Sequence, residues 1–307
     1  MSILGIDIGG TKIAVGVVDP DGTVAARLEA PTPAQAGPTA VIQQAERLSQ
    51  TLLQRTDRTV HGVGVGSAGV IDPRSGVVTT ATDLLRGWAG TDLRCELEHR
   101  FRLPVTVLND VHAHAVAEAQ IGAGAEVPRM LLFALGTGIG GAITQDGIVE
   151  VGSHGVAGHF GHLPSVQALD VTCSCGRSGH LEAVGSGPAI LRRYRRATGD
   201  REVDETQAVF RRAAAGESFA EYVVKTAARA IGEAIGGMVN ATDPDRVVLS
   251  GGLAFAGDDW IDRIRAAART TSLPHLENSP ILVSSLHGDA AIIGAALHHQ
   301  QLKGQQS

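Results

Sequence analysis

The sequence has few cysteines, which limits how the fold can be held together. Only three occur in 307 residues, and Cys173 and Cys175 stand one residue apart, where a disulfide between them would be strained. A disulfide framework is therefore excluded, and free thiols or metal ligands in a cytoplasmic protein are expected. Neither the 39 glycines nor the 12 prolines recur at a short fixed period, and hydrophobic residues make up 43%, so fibrous and disordered classes are excluded too.

Basic clusters and long apolar runs are also missing. Lys and Arg number 26 against 32 Asp and Glu, a net charge of −6. Affinity for nucleic acid depends on clustered positive charge, so no nucleic-acid partner is expected. The longest uncharged apolar stretch, 130–144, is broken by glycines and too short to span a bilayer, and the segment before Asp7 does not resemble a signal peptide. We expect a cytoplasmic protein with no membrane partner.

The sequence does contain a repeated pattern of strands and glycine-rich turns. Residues 3–31 predict a three-stranded β-meander, and residues 130–151 predict a second one. Further strands are predicted at 60–71, 104–108 and 246–249, and helices at 38–54, 91–101, 112–121, 187–198, 204–215, 218–240 and 288–301. The repetition indicates a duplicated α/β fold with two lobes. We assign residues 1–121 to a small lobe, 122–289 to a large lobe, and 290–307 to a helix that packs back on the small lobe.

Three glycine-rich turns are candidate nucleotide contacts. Each follows a predicted strand, and glycine lets backbone N–H groups approach phosphate oxygens closely. In the first turn Asp7 can also face Mg²⁺ or its waters. Taken singly, each turn has the alternative of a plain glycine-rich hairpin, and the agreement between two meanders favours phosphate binding. The candidates are Asp7, Gly9, Gly10, Thr11 and Lys12, then Gly136, Thr137 and Gly138, and then Gly251 and Gly252, the last two beside adenosine.

Asn109 and Asp110 follow the strand predicted at 104–108 and precede a helix. Open α/β sheets place reactive groups at such strand ends. Asp110 could accept the proton of a substrate hydroxyl that attacks a γ-phosphoryl group, and Asn109 could bind a neighbouring hydroxyl. The alternative is a helix N-cap, a role that both residue types often fill. One residue can serve both purposes.

The segment 154–182 is rich in histidine and contains two of the three cysteines. His162, Cys173, Cys175 and His180 form a set of the kind that holds a structural Zn²⁺, which would order a long loop. The alternative is a group of unrelated loop residues. His159 and Glu182 are candidate sugar contacts or ordinary exposed polar residues. The remaining positions are expected to be structural, with solvated histidines at 112, 114, 298 and 299 and a core cysteine at 95.

Over nearly its full length, the chain resembles the ROK family of bacterial sugar kinases and sugar-responsive repressors, within the actin and hexokinase superfamily. The resemblance is carried by a set of short motifs, which together are far more specific than any single glycine turn. They are Asp7–Lys12 (DIGGTK), Gly66–Gly69 (GSAG), Asn109-Asp110, Leu135–Gly141 (LGTGIGG), Ala157–His162 (AGHFGH), Cys173–Glu182 (CSCGRSGHLE) and Ser250–Gly252 (SGG).

The resemblance implies an actin-like (ribonuclease H-like) fold and transfer of phosphate from ATP, with Mg²⁺, to the 6-hydroxyl of a hexose or N-acetylhexosamine. It implies that Asp110 is the general base and that zinc is structural, with His162 both a zinc ligand and a sugar contact. The other implied sugar contacts are Gly69, Asp83, Asn109, His159 and Glu182. Members of the family are often dimers or tetramers, so a homo-oligomer is expected.

Two departures from the family pattern are informative. His180 stands where the family has its third zinc cysteine, and because imidazole also ligates zinc, we expect a Cys₂His₂ site. His159 stands where glucokinases and most N-acetylglucosamine kinases of the family have glutamate, and a neutral imidazole offers fewer acceptor sites than a carboxylate. The Gly-His-x-Gly-His pattern resembles bacterial N-acetylmannosamine kinases. We therefore expect N-acetylmannosamine as substrate, with glucose and then N-acetylglucosamine as alternatives.

Two non-enzymatic interpretations were weighed. ROK repressors resemble the kinases but carry a DNA-binding segment before the first glycine turn, and because Asp7 stands so early in this sequence, no such segment is expected. A sugar-binding protein with a vestigial kinase site would not require Asp110 and two phosphate turns. The enzyme is the favoured interpretation.

Overall fold

The computed structural model describes residues 1–304 and contains two five-stranded mixed sheets. In the first sheet the strand order is β3-β2-β1-β4-β7, with β1, β2 and β3 antiparallel and β1, β4 and β7 parallel. Its strands are β1 (Ser2–Ile8), β2 (Lys12–Val18), β3 (Val24–Pro31), β4 (Val60–Ser67) and β7 (Val105–Asn109). A separate hairpin is formed by β5 (Val70–Ile71) and β6 (Val78–Thr80).

The second sheet repeats this arrangement in the order β10-β9-β8-β11-β12. The β9–β10 pair is antiparallel, whereas β8, β11 and β12 are parallel. The strands are β8 (Arg129–Leu135), β9 (Ile139–Gln145), β10 (Ile148–Val149), β11 (Arg246–Ser250) and β12 (Ile281–Val283). The duplicated α/β fold predicted from the two meanders is therefore confirmed.

The helices follow the predicted pattern except for two that were not predicted, the four-residue α4 and the longer α8. They are α1 (Pro38–Leu53), α2 (Leu93–Phe101), α3 (Asp110–Ile121), α4 (Glu182–Gly185), α5 (Gly187–Thr198), α6 (Thr206–Ala214), α7 (Ser218–Thr242), α8 (Asp258–Thr271) and α9 (Ala290–Gly304). The sequence analysis missed α8, although its buried residues Trp260, Ile261, Ile264 and Ala268 recur at helical spacing. Within residues 1–304, none of the helices combines the length and apolar content that a bilayer crossing requires.

The chain forms two compact units. The first contains residues 1–126 and 142–157 and the C-terminal segment from 285, and the second contains 127–141 and 158–284. The division into lobes at residues 121 and 289 stays a prediction, and positions 305–307 of the predicted C-terminal helix lie outside the described residues.

In the first unit, helices cover both faces of the first sheet. One face packs against α1 and α2, where Val41 and Leu97 are buried. The other packs against α3 and α9. Ile292 of α9 lies so close to the glycines at positions 5 and 16 that a Cβ at either would meet it at under 3 Å. In the second unit, α7 packs against α5, α6 and α8.

The structure corrects two predictions about residues in these helices. His112 and His299 are buried, with 3% and 1% of their surface exposed, rather than solvated. Burial lowers the pKa of His298 and His299 to about 4, so both imidazoles are neutral at pH 7. His299 lies against the first sheet, where its Nδ1 is 3.2 Å from the Thr106 hydroxyl. Cys95 was expected in the core and is exposed, because α2 buries only Leu93 and Leu97.

Candidate active site

In the first unit, the predicted catalytic residues lie where three parallel strands end together. Ile8 of β1 is in register with Ser67 of β4, which is in register with Asn109 of β7. The Ala68 N–H donates to the carbonyl of Ile8 at 3.0 Å, which closes this edge of the sheet. Asp7, on β1, therefore lies near the start of α3.

Asn109 is the N-cap of α3, so the capping alternative is correct for this residue. Its Oδ1 accepts from the backbone N–H groups of Val111 at 3.0 Å and His112 at 3.2 Å. Its Nδ2 donates to the Gly69 carbonyl at 3.0 Å and to Oδ1 of Asp110 at 2.8 Å. The cap fixes Asn109 and links it to Gly69, a predicted sugar contact, and to Asp110, the predicted base. Direct binding of a sugar by these residues stays a prediction.

Asp110 is oriented through one of its two oxygens. Its Oδ1 accepts from the Val111 N–H at 2.9 Å as well as from Asn109. The carboxylate lies in the first turn of α3, where the helix dipole favours negative charge. Both of these hydrogen bonds go to Oδ1, and the role of Asp110 as general base stays a prediction.

The pKa of Asp7 is far above its ordinary value. Burial, followed by the negative charge of Asp110, raises its pKa to about 7, and Lys12 and Arg27 oppose the shift. Two acids close enough to perturb each other suit a divalent cation, which oxygen ligands bind. The residues therefore fit the predicted Mg²⁺ contact.

Replacing Asp7 by Asn is expected to raise the Tm at pH 8 in the absence of Mg²⁺. The wild-type carboxylate is ionised there and must stay desolvated beside Asp110, whereas the amide carries no charge. The folded pKa of about 7 exceeds the ordinary value of 3.8, so the wild type loses stability as pH rises from about 4 to 7. The gain in Tm should therefore disappear near pH 4.

Thermal denaturation of both proteins across pH 4–8 measures this difference. Asp21→Asn is the matched control, because Asp21 is exposed and a backbone hydrogen bond from Thr23 lowers its pKa. An equal gain in Tm at pH 4 and pH 8 for Asp7→Asn, or the same gain for Asp21→Asn, would contradict the electrostatic account.

The first glycine turn joins β1 to β2. The Gly9 N–H donates to the Lys12 carbonyl at 3.1 Å. Thr32 holds the turn from outside, because its hydroxyl donates to the Gly9 carbonyl at 2.7 Å and its N–H donates to the Thr11 carbonyl at 2.9 Å. Lys12 is exposed and pairs with Glu29 at 3.2 Å. The turn is ordered and open to solvent, as a phosphate contact requires, and the binding of phosphate by Gly9, Gly10, Thr11 and Lys12 stays a prediction.

The other two glycine turns lie side by side in the second unit. Ala134 of β8 is in register with Ser250 of β11, so the turn at 136–138 is adjacent to Gly251 and Gly252. Gly251 has φ 82°, and a Cβ there would lie 2.4 Å from the carbonyl oxygen of Leu135. Packing of the backbone therefore explains this glycine, and contact of these two turns with phosphate and adenosine stays a prediction.

The four predicted zinc ligands converge in one cluster. The ligand atoms of His162, Cys173, Cys175 and His180 all lie within 4.8 Å of one another. The Nδ1 atoms of the two histidines are 3.2 Å apart, Cys173 Sγ is 3.9 Å from Nδ1 of His162, and Cys175 Sγ is 3.3 Å from Nδ1 of His180. Residues distant in sequence therefore supply two nitrogens and two sulfurs to one point.

This geometry fits Zn²⁺. With bonds of about 2.1 Å to nitrogen and about 2.3 Å to sulfur, a tetrahedral ion holds its ligand atoms roughly 3.4–3.8 Å apart. Burial lowers the pKa of His162, which favours the neutral imidazole that can ligate a metal. Burial raises the pKa of the Cys173 thiol, so a cation is what would make its thiolate stable. His180 replaces a third cysteine without opening the cluster.

Glu182 connects the metal loop to the glycine turn at 136–138. Its Oε2 accepts from the Ile139 N–H at 2.9 Å, and its Oε1 accepts from the Ser174 hydroxyl at 2.7 Å. Ser174 stands between the two cysteines, so the cluster and Glu182 are mutually ordered. A carboxylate retains further lone pairs beyond these two bonds, and contact between Glu182 and sugar stays a prediction.

His159 is exposed beside the metal cluster. Its ring stacks on that of His162 with 6.2 Å between centroids and 16° between planes. Another predicted sugar contact, Asp83, is exposed and stands five residues before Trp88. The Trp88 indole is buried and donates to Ser67 Oγ at 3.1 Å and to the Ala68 carbonyl at 3.2 Å, so its role is to hold the strand end.

Three residues that hold candidate site residues in place within each unit were not predicted. They are Thr32, which anchors the first glycine turn, Ser174, which anchors Glu182, and His112, which donates to the carbonyl of Ala157. Only His112 gave a signal in the sequence, since it stands two residues after Asp110. Thr32 contacts Gly9, 23 residues earlier, and Ser174 contacts Glu182, eight residues later, and no motif in the sequence marks either residue.

Comparisons with known proteins agree with this arrangement. The sequence model of the ROK family matches residues 3–301. The chain is 32% identical to a glucokinase of Halalkalibacterium halodurans over 95% of this chain and 92% of that relative. It is 31% identical to an N-acetylmannosamine kinase of Escherichia coli over 97% of this chain and 98% of the relative.

The fold is shared with a crystal structure of a ROK family glucokinase from Streptomyces griseus in complex with glucose and AMPPNP. The TM-score is 0.84 at 29% identity, and the match covers 98% of this chain and 100% of that one. The match supports the actin-like two-lobe kinase fold predicted from the sequence. The two relatives are sugar kinases, and the chain belongs to the ROK family.

Proposed function

We propose that this ROK sugar kinase transfers the γ-phosphoryl group of ATP to the 6-hydroxyl of N-acetylmannosamine. The catalytic part is argued from the position of Asp110, which lies in the first turn of α3 at the aligned strand ends. It is close enough to Asp7 for its negative charge to raise the pKa of Asp7. The sugar is argued from His159, which lies against His162 in the metal loop.

Asp110 acts as the general base. The N–H groups of Asn109 and Val111 hold Oδ1, and Oδ2 accepts the proton of the 6-hydroxyl as its oxygen attacks the γ-phosphorus. The bond between that phosphorus and the β,γ-bridging oxygen breaks, and ADP leaves. Mg²⁺, when bound near Asp7, supplies neutralisation of phosphate charge. The three glycine turns position the nucleotide through backbone N–H groups.

Zinc, when bound, supplies rigidity to the loop that contains His159 and Glu182. The residues that would hold it are His162, Cys173, Cys175 and His180. The Ser174 hydroxyl donates to Glu182 at 2.7 Å, so a rigid loop also limits the movement of the Glu182 side chain. The sugar contacts on this loop therefore depend on the metal cluster for their position.

The alternative substrates are glucose and then N-acetylglucosamine. Overall similarity does not separate them, because the identities to a glucokinase and to an N-acetylmannosamine kinase differ by one percentage point, 32% against 31%. The distinction rests on position 159. A neutral imidazole offers one donor and one acceptor, whereas a carboxylate accepts several hydrogen bonds from sugar hydroxyls.

His159→Glu is expected to move selectivity toward glucose. The ratio of kcat/KM for glucose to that for N-acetylmannosamine should rise about tenfold or more, since one well-placed hydrogen bond to sugar accounts for a factor of that size. Initial rates of ADP release with each sugar measure the ratio. His154→Glu is the matched control, because it adds the same charge to an exposed position five residues earlier. An unchanged ratio, or equal shifts in both variants, would count against His159 as the selectivity residue.

A further inference from the structure

The segment between β10 and His159 has little secondary structure of its own. Residues 150–157 form no strand or helix. Two backbone hydrogen bonds involve its ends. The Glu150 N–H donates to the Ile143 carbonyl at 2.9 Å, and the Ala157 N–H donates to the Val151 carbonyl at 3.2 Å. We call residues 150–157 the approach loop, because the chain reaches His159 two residues after it ends. Its position must come from packing against other parts of the first unit.

One anchor of the approach loop is the side chain of His112. Nε2 of this residue lies 2.9 Å from the carbonyl oxygen of Ala157. A carbonyl oxygen can only accept, so Nε2 carries the proton and donates. The imidazole is 3% exposed and lies in the first turn of α3, two residues after Asp110. The same helical turn therefore holds the general base and the end of the approach loop.

A second anchor is the backbone at Gly155. This residue has φ 71°, and a Cβ there would lie 2.3 Å from the carbonyl oxygen of Ile71. The loop backbone thus lies directly against β5, with no room for a side chain between them. The Ile71 side chain is itself buried. The loop is fixed at its middle by close packing and at its end by one hydrogen bond from His112.

We propose that His112 is a positioning residue for the sugar, because it ties the chain just before His159 to the helical turn that carries Asp110. The expected effect of His112 on the KM for sugar rests on the proposed function. His112 touches neither sugar nor nucleotide in this account. It sets the position of Ala157, at the end of the approach loop and two residues before His159.

The test compares His112→Phe, which fills the space without a donor, with His112→Gln, whose side-chain amide can still donate to Ala157. For His112→Phe, the KM for the preferred sugar should rise about tenfold, the effect of one buried hydrogen bond. The KM for ATP should stay within about twofold, and His112→Gln should recover most of the loss. If His112→Phe does not fold, His112→Met, which also lacks a donor and is flexible, replaces it.

The matched control is His299→Gln, which alters another buried histidine of the same unit, one bonded to Thr106 rather than to the approach loop. It should lower the Tm without raising the KM for sugar. If His112→Phe raises the KM values for sugar and ATP together, or leaves both unchanged, or if His112→Gln does no better, the positioning role is wrong.

Hydrogen exchange separates failure of this inference from failure of the proposed function. Amides of residues 150–158 should exchange faster in ligand-free His112→Phe than in the wild type, whatever the enzyme phosphorylates. A wild type that phosphorylates no sugar, combined with faster exchange in the variant, would overturn the proposed function and leave the anchor intact. Unchanged exchange across this segment would overturn the anchor itself.

Discussion

Asp110→Asn is expected to lower kcat about 10²-fold or more, with sugar still bound, because a positioned general base contributes a factor of that order. The amide cannot accept the proton of the 6-hydroxyl, yet it can keep the bonds at Oδ1 from Asn109 and Val111. The substitution also removes the negative charge that repels the Asp7 carboxylate and raises its pKa. The fold should therefore be retained while turnover is lost. Steady-state ADP release and calorimetric sugar binding measure the two effects separately.

The matched control for this prediction is Asp92→Asn. Asp92 is the N-cap of α2 and accepts from the Cys95 N–H at 3.0 Å, and Asn caps helices about as well as Asp. This variant removes a carboxylate from a helix start in the same unit, away from the aligned strand ends. Its kcat should match that of the wild type. Near-normal turnover in Asp110→Asn would remove the general base from the account.

The second large effect is expected on loss of the metal cluster. Cys173→Ser should reduce bound zinc from about one ion per chain to a small fraction, since a closed structural site needs all four ligands. Without zinc, the loop would lose the free energy that metal binding contributes to its folding. The Tm should therefore fall, and the KM for sugar should rise about tenfold or more. Elemental analysis, thermal denaturation and initial rates measure these three quantities.

Two further variants isolate the metal as the cause. Cys95→Ser changes the exposed third cysteine, which lies outside the cluster, and should alter neither zinc content nor KM. His180→Cys should keep zinc, because thiolate and imidazole both ligate it, whereas His180→Ala should lose it. Full activity and unchanged Tm in a zinc-free Cys173→Ser protein would contradict the structural role of the cluster.

The repeated meanders made the fold predictable from the sequence. The strands of the two sheets and the helices beside them follow the spacing of apolar residues closely, because buried strands and amphipathic helices each require a characteristic apolar spacing. Helix α8 was missed although Trp260 and Ile264 mark its buried face. The short strand β12, Ile281–Val283, was missed because three residues carry too little pattern. A homo-oligomer stays a prediction, as do the individual contacts with sugar and nucleotide.

The histidines show where local sequence information ends. His162 and His180 were identified as a pair by their proximity to cysteines, and the structure brings all four ligand atoms together. His112 and His299 were expected to be solvated, because histidine in a helix is usually exposed. His112 is buried where α3 contacts the backbone at Ala157, and His299 is buried where α9 packs on the first sheet at Thr106. Tertiary contacts of this kind leave no periodic signal in either helix.

The most direct test is the rate of ADP release by the purified protein with ATP and Mg²⁺, compared for N-acetylmannosamine, glucose and N-acetylglucosamine. The account predicts turnover with the highest kcat/KM for N-acetylmannosamine. A highest kcat/KM for glucose would contradict the assignment of substrate from His159 and leave Asp110 as the base. No ADP release with any of the three sugars would contradict the central claim that this site transfers phosphate to a sugar of this class.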